Sequence, residues 1–157
     1  MNASRVLPLI RPGPPSWPPG LSVVAAMTFA VLAGCTTIAK YDQAAYEKAT
    51  AAKAEALVLM NKATESYSSH RKEAEAVALN IEKAYQYDLG RDKNAETIGM
   101  WEILKDPNGN LFGGFLRRWK QKGSLKPDAI EIKRPDIVQA FDDIIALEIG
   151  KPRVKAN

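Results

Sequence analysis

Few side chains in this sequence are of the kinds that do covalent or metal chemistry, and their spacing decides which reactions are open to them. There is one cysteine, Cys35, and one histidine, His70. A zinc site needs three or four His, Cys or carboxylate ligands and a disulfide needs two thiols, so neither is built from this set. His70 has no nucleophile or second ligand near it in sequence and is expected to be a packed or half-exposed helix residue rather than a base. Asp142 and Asp143 are adjacent, which turns them about 100° apart on a helix and off any common face. Asp106, Asn108 and Asn110 begin like a calcium loop. Leu111 then stands where glycine is required and Arg117 where the bidentate glutamate belongs, leaving a plain turn. No spacing resembles a glycine-rich phosphate loop. No catalytic residue, metal or cofactor is assigned, and the chain is expected not to be an enzyme; a hydrolytic site assembled only by folding would need two carboxylates facing each other in a polar cleft. Cys35 remains, in the stretch "FAVLAGCTT", as a buried thiol, a residue of a membrane span, or an attachment point.

The residues ahead of Cys35 discriminate among these. Leu21 to Ala39 carry no charge over 19 residues, about the length that can span a bilayer. Three Thr, one Ser and one Gly dilute the run, and its dense apolar part is only Leu21 to Leu32. That suits the apolar region of a signal peptide better than an anchor helix, with Arg5 and Arg11 ahead of it as the positive region and Ala33 and Gly34 behind as small residues.

Leu32-Ala33-Gly34-Cys35 at the end of such a run resembles the lipobox of bacterial lipoproteins. The resemblance implies that the Cys35 thiol receives a diacylglycerol, that residues 1–34 are removed, and that the new amino-terminus is acylated. The 34-residue leader, with six prolines in its first 20 residues, exceeds the usual length of about 15 to 30. Two or more acyl chains, at about 0.8 kcal/mol per buried methylene, hold a protein stably on a membrane. Gram-negative lipoproteins kept at the inner membrane commonly carry aspartate after the cysteine. Thr36 in that position implies the outer membrane, with the protein lipid-anchored and facing the periplasm or the surface.

Composition bounds what is tethered. The 157 residues are 46% hydrophobic and 25% charged, which is globular. Arg5 and Arg11 account for two of the 22 Lys and Arg side chains, so the rest of the chain is nearly balanced against 18 Asp and Glu. That balance provides no concentrated basic face for nucleic acid.

The elements read as all-α. Neither Gly nor Pro occurs between Gly34 and Gly90, and residues 39–84 hold 13 alanines among many Lys and Glu, a strongly helix-forming composition. One helix from Ile38 to Leu89 would be about 75 Å long. Ala45, Ala49, Ala52, Ala56, Leu59 and Ala63 recur in steps of four and three, and Tyr67, His70, Ala74, Val77, Ile81 and Ala84 repeat the pattern. This is the seam of a coiled coil, made either within the chain or between copies as a homo-oligomer. A second consecutive step of four from Ala63 to Tyr67 breaks the phase at "TESYSSH". With no Gly or Pro to mark a turn, the expectation is a long helix kinked near Ser66 to His70 rather than a tight hairpin.

After Gly90, Asn94 is a plausible N-cap for a helix burying Ile98, Trp101 and either Ile103 or Leu104, with Thr97 standing where a capping box would have Glu or Gln. "DPNGN" is a type I turn. In "LFGGFLRRWKQKG", Leu111, Phe112, Phe115, Leu116 and Trp119 share one helical face and Arg117, Arg118 and Lys120 lie off it. Either the aromatics are core, or Phe112–Lys122 is an amphipathic surface for anionic lipid or cell-wall polymer, with Arg117, Arg118, Trp119 and Lys120 as its binding residues. The last helix starts with Pro135 and directs Ile137, Val138, Phe141, Ile144, Ile145 and Ile149 inward. "KPDAIEIK" before it reads equally as strand or helical turn, and residues 151–157 read as a mobile basic tail.

The expected organisation is a leader over 1–34, a lipidated tether over 35–40, an all-α domain over 41–150 led by the Ala-rich helix, and the tail. The expected function is a non-catalytic envelope lipoprotein, a structural or adaptor module whose partners are the membrane and other envelope proteins or peptidoglycan.

Overall fold

The structure, a computed structural model, describes residues 38–153 together with Gly13. The leader, Leu32, Ala33, Gly34 and Cys35 of the lipobox, and residues 154–157 lie outside the described residues.

Asp42 starts the first helix. Its carboxylate accepts from the Ala45 N–H at 3.0 Å, and α1 runs over Gln43–Asn61. The second helix, α2, is a separate element over Tyr67–Leu89. Cross-connections show their sense: Asn80 donates to Glu55 at 2.8 Å, Lys62 to Glu73 at 2.6 Å, and the Tyr87 hydroxyl to Asp42 at 3.0 Å. Early residues of one helix meet late residues of the other, so the pair is an antiparallel hairpin. The expected long kinked helix is thus corrected.

No Gly or Pro is needed at this turn because distant parts of the chain bond its backbone. The Leu125 N–H donates to the Ala63 carbonyl at 2.8 Å, the Tyr67 N–H to the Gly123 carbonyl at 2.6 Å, and the Trp119 indole N–H to the Glu65 carbonyl at 3.0 Å. Helix termini leave backbone groups without intrahelical partners. Here a later helix and the loop after it supply those partners.

Three more helices close the fold: α3 over Ala95–Lys105, α4 over Phe112–Lys122 and α5 over Pro127–Gly150. All elements among the described residues are helical, and none is long and apolar enough to cross a membrane. The all-α class follows. The hairpin packs on α5 through α1 and on α3 and α4 through α2, while α3 also contacts α5 and α4. The small seam of α1 and the Ala74, Val77, Ile81 and Ala84 stripe of α2 are buried in this arrangement. The seam expected from the sequence is packed within the chain.

The large side chains gather where α3, α4 and α5 meet. Trp101 and Phe112 both approach Phe141 edge-on, with ring centroids 6.2 and 6.4 Å away, within the favourable range for aromatic pairs. Leu104, not Ile103, faces inward; Ile103 is 64% exposed. The final helix begins eight residues earlier than its expected start, with Pro127 in its first turn and Pro135 inside it. Ile130 joins Ile137, Phe141 and Ile144 on the buried stripe, whereas Pro135 is exposed, where water can bond the carbonyl that loses its helical partner. Val138 and Ile145 are half-buried, and Ile149 lies outside the core.

The pair Gly113-Gly114 lets α4 start against another backbone. A Cβ on Gly113 would lie 2.1 Å from the Lys105 carbonyl oxygen, and one on Gly114 would lie 1.9 Å from the Gly109 carbonyl oxygen. Gly123, at φ 76°, ends α4 in the left-handed region that other residues enter at a cost. We predict that Gly113→Ala destabilises the fold by about 3 kcal/mol, because the obstructing atom is backbone. Gly99→Ala, which has no neighbour within 4 Å of the new Cβ, should stabilise it by up to about 1 kcal/mol. Urea denaturation followed by circular dichroism measures both, and equal midpoints for the two variants would refute the packing role of Gly113.

Candidate functional site

The polar residues that sequence spacing missed are assembled where α1 begins and α5 ends. Asp88 falls on the core register of α2 after Ile81 and Ala84, and Glu148 falls on that of α5 after Phe141 and Ile144. A carboxylate at a core position is the signal that could have found them, since a buried charge must be paired. Glu148 is 2% exposed, and the Lys151 side chain is wholly buried. Lys151 is therefore not part of a mobile tail.

The Lys151 ammonium donates to Glu148 Oε2 at 2.6 Å, Asn94 Oδ1 at 2.6 Å and Thr97 Oγ1 at 2.9 Å, which uses all three of its protons. The Arg91 guanidinium donates to Asp88 Oδ1 at 2.8 Å, to both oxygens of Glu148 at 2.9 and 3.0 Å, and to the Lys40 carbonyl. Asp88 also accepts from Asn94 Nδ2 at 2.9 Å and from the Trp101 indole N–H at 2.7 Å. Asn94 stands before α3 as expected, but its side chain makes no cap bond and belongs to this cluster instead. Two cations and two carboxylates balance.

Burial pushes the Glu148 carboxyl up, but hydrogen bonds from Arg91, Lys151 and the Asp42 N–H outweigh it and hold the group below the usual carboxylate range. Burial opposes the charge on Arg91 as well, and its bonds to Glu148 and Asp88 raise it above the ordinary arginine value. Both groups are ionised across the physiological range. With its polar atoms engaged internally, the cluster acts as a clamp on segments brought together there. The Ala39 N–H donates to the Lys93 carbonyl and the Tyr41 N–H to the Pro152 carbonyl, both at 2.9 Å, and Arg153 lies 4.2 Å from the centre of the Tyr41 ring.

The other candidate residues are dispersed. Trp119 is fully buried, with Tyr67 edge-on at 5.3 Å and His70 at 6.0 Å. It therefore leaves the proposed surface set, because its indole fills the space beneath the hairpin turn. Phe112 and Phe115 are buried with it. Arg117 and Lys120 are exposed, while Arg118 is half-buried beside Gly114 with Nη2 buried and unpartnered. His70 is a packed helix residue whose ring nitrogens lie 2.7 Å from Glu65 and 3.5 Å from Glu73. Asp142 meets Lys53 at 2.5 Å and Asp143 accepts from Gln139 at 2.7 Å, so the adjacent carboxylates have different partners. Among the described residues, no group of His, Cys, Asp and Glu is placed to hold a metal ion. "DPNGN" forms its turn, with the Gly109 N–H donating to the Asp106 carbonyl at 3.1 Å.

A second feature is a cleft of about 430 Å³ among α2, α3 and α4. Ala78, Ile81, Phe112 and Leu116 contribute apolar surface, and Glu82, Glu102, Lys105 and Asp106 contribute charge. Lys105 donates to Glu82 at 2.6 Å and lies 3.7 Å from the centre of the Tyr85 ring; the Tyr85 hydroxyl donates to Glu102 at 3.1 Å. Hydrogen bonds from Lys105 and Gln86 hold Glu82 below its ordinary value, the direction opposite to that of a general acid.

Removing one partner from a buried ion pair costs about 3 to 5 kcal/mol, so Lys151→Met should lower stability by that order in chemical denaturation. Glu148 contributes through a depressed folded value. Its stabilisation is whole above the unfolded value of about 4.5 and is lost as pH falls through the folded one. Glu148→Gln should accordingly be less stable at neutral pH yet lose less stability on acidification. Parallel acid limbs for wild type and variant would contradict this. Compared with known protein families, curated proteins and solved structures, the chain matches none.

Proposed function

We propose that this chain is a non-catalytic envelope lipoprotein, acylated at Cys35 and held at the outer membrane, whose helical domain acts as a structural or adaptor module. The observation that carries the reading is how soon structure begins after the lipobox. Only Thr36, Thr37 and Ile38 separate Cys35 from Ala39, which is buried and hydrogen-bonded to Lys93. Four residue steps reach at most about 14 Å. An acyl anchor on Cys35 therefore holds the ionic clamp next to the lipid.

Geometry limits what such a module can touch. The 19 residues of α1 rise about 29 Å before the hairpin turn, well short of the span of an unbroken helix. Partners then lie close to the membrane. The clamp also gives a physical reason for holding the domain rigidly at its anchored end: both the entering and the leaving segments are bonded there. The alternative, a surface at Phe112–Lys122 for anionic lipid or cell-wall polymer, retains its exposed charges but not its aromatic side chains.

Labelled palmitate should enter the wild-type chain and not Cys35→Ser, and the wild type should fractionate with outer membranes. Label retained by the variant would defeat the lipoprotein reading.

A further inference from the structure

The end of the fold that follows the tether presents positive charge that the clamp does not use. Bonds to the backbone gather three exposed cations there: the Ala39 N–H donates to the Lys93 carbonyl, Arg91 to the Lys40 carbonyl, and the Tyr41 N–H to the carbonyl of Pro152, next to Arg153. The Arg153 guanidinium lies over the Tyr41 ring at 4.2 Å. The buried ion pairs at this end join Arg91 and Lys151 to Asp88 and Glu148 and include none of the three. Asp42 spends its carboxylate on the Ala45 N–H and the Tyr87 hydroxyl. Asp92 and Glu96 are the exposed acids near the cations in sequence, which leaves one positive charge in excess. Lys93 also holds φ 60°, a left-handed backbone uncommon outside Gly, Asn and Asp, so a cation stands where a smaller residue would suit the turn better.

We propose that this basic end is a second membrane contact, in which Lys40, Lys93 and Arg153 bind anionic phospholipid headgroups of the leaflet that holds the acyl chains. The inference rests on acylation at Cys35 and adds to it the face and the lipid chemistry. Chain length selects the occupant, since Ala39 lies four residue steps, at most about 14 Å, from Cys35. Charge complementarity selects anionic over neutral lipid. Once the acyl chains hold the protein, headgroup contact is intramolecular, and a modest attraction suffices to set its orientation. Each Lys or Arg near an anionic surface favours contact about fivefold. Contact at this end turns the hairpin turn, at the opposite end of the fold, away from the bilayer.

The test expresses the full-length sequence in a Gram-negative host, reconstitutes the product in nanodiscs and follows acetylation of each lysine by mass spectrometry. Adding phosphatidylglycerol to phosphatidylcholine discs should slow Lys40 and Lys93 about fivefold. Lys122 and Lys126, exposed on either side of the loop that bonds the hairpin turn, should not change. In Arg153→Gln the slowing at both residues should fall below about twofold, and Lys93→Gln should do the same at Lys40. The wholly buried Lys151 stays unacetylated while the domain is folded, which separates lost contact from lost fold. Equal rates on the two kinds of disc, undiminished slowing in the folded variants, or protection at Lys120 and Lys122 instead overturns the proposal. Protection by inorganic phosphate on phosphatidylcholine discs would assign the cations to a free anion and also overturns it. Intact mass reads acylation separately: an acylated chain without protection at Lys40 and Lys93 overturns this proposal alone, and an unacylated chain overturns it together with the lipoprotein reading.

Discussion

Lys151, Arg91, Glu148 and Asp88 lie out of water together at one end of the helical bundle, and the positions of the other segments at that end follow from satisfying them. Each ion alone would carry a large desolvation cost. Together they are neutral, and Asn94, Thr97, Trp101 and the Asp42 and Lys40 backbone take up the remaining donors and acceptors. A cluster of this kind contributes less to net stability than to the choice of one arrangement. Sliding α5 by one helical turn would keep Glu148 on the buried face without Arg91, a penalty that a purely apolar interface of Ala and Ile would not impose. The clamp therefore fixes the register of α5 against α2 and α3, and the start of α1 against the end of α5.

At the opposite end of the fold the reversal is fixed by hydrogen bonds to backbone carbonyls and N–H groups of the turn, with the Lys62–Glu73 ion pair beside them. The turn between α1 and α2 is bonded by Leu125, Gly123 and Trp119, so the loop after α4 decides where the Ala-rich segment reverses. The Gly113-Gly114 pair belongs to the same logic, since only a residue without Cβ lets α4 start against the 105–109 backbone and place Trp119 under that turn. Small side chains on α1 allow close approach within the hairpin, and the bulk missing from that seam is supplied by the aromatics of α3, α4 and α5.

These two ends bear differently on function. The ionic end is the one a lipid on Cys35 would hold at the membrane, and it carries the segments that enter and leave the fold. The cleft lies between these ends, where α2, α3 and α4 adjoin, with Glu102 and Asp106 exposed beside it.

Local pattern alone determined much of the architecture. An Ala, Glu and Lys composition without Gly or Pro specifies helix, because propensity acts through neighbouring residues. Steps of three and four select Ala52, Leu59, Val77, Ile81, Ile137 and Phe141 as buried. The aromatic face of α4 was equally legible, but whether it met solvent or core was not, since one periodicity describes both. Four things only the tertiary structure decided: the reversal after Asn61, the extension of α5 back through Pro135, the burial of Lys151, and the use of Asn94 as a network member. The physical reason is shared by those with identified long-range partners. The Trp119 bond to Glu65 spans 54 residues, the Lys151 bond to Asn94 spans 57, and the Glu148 bond to the Asp42 backbone spans 106. A turn or a buried charge settled by partners at such separations leaves no mark on the residues beside it.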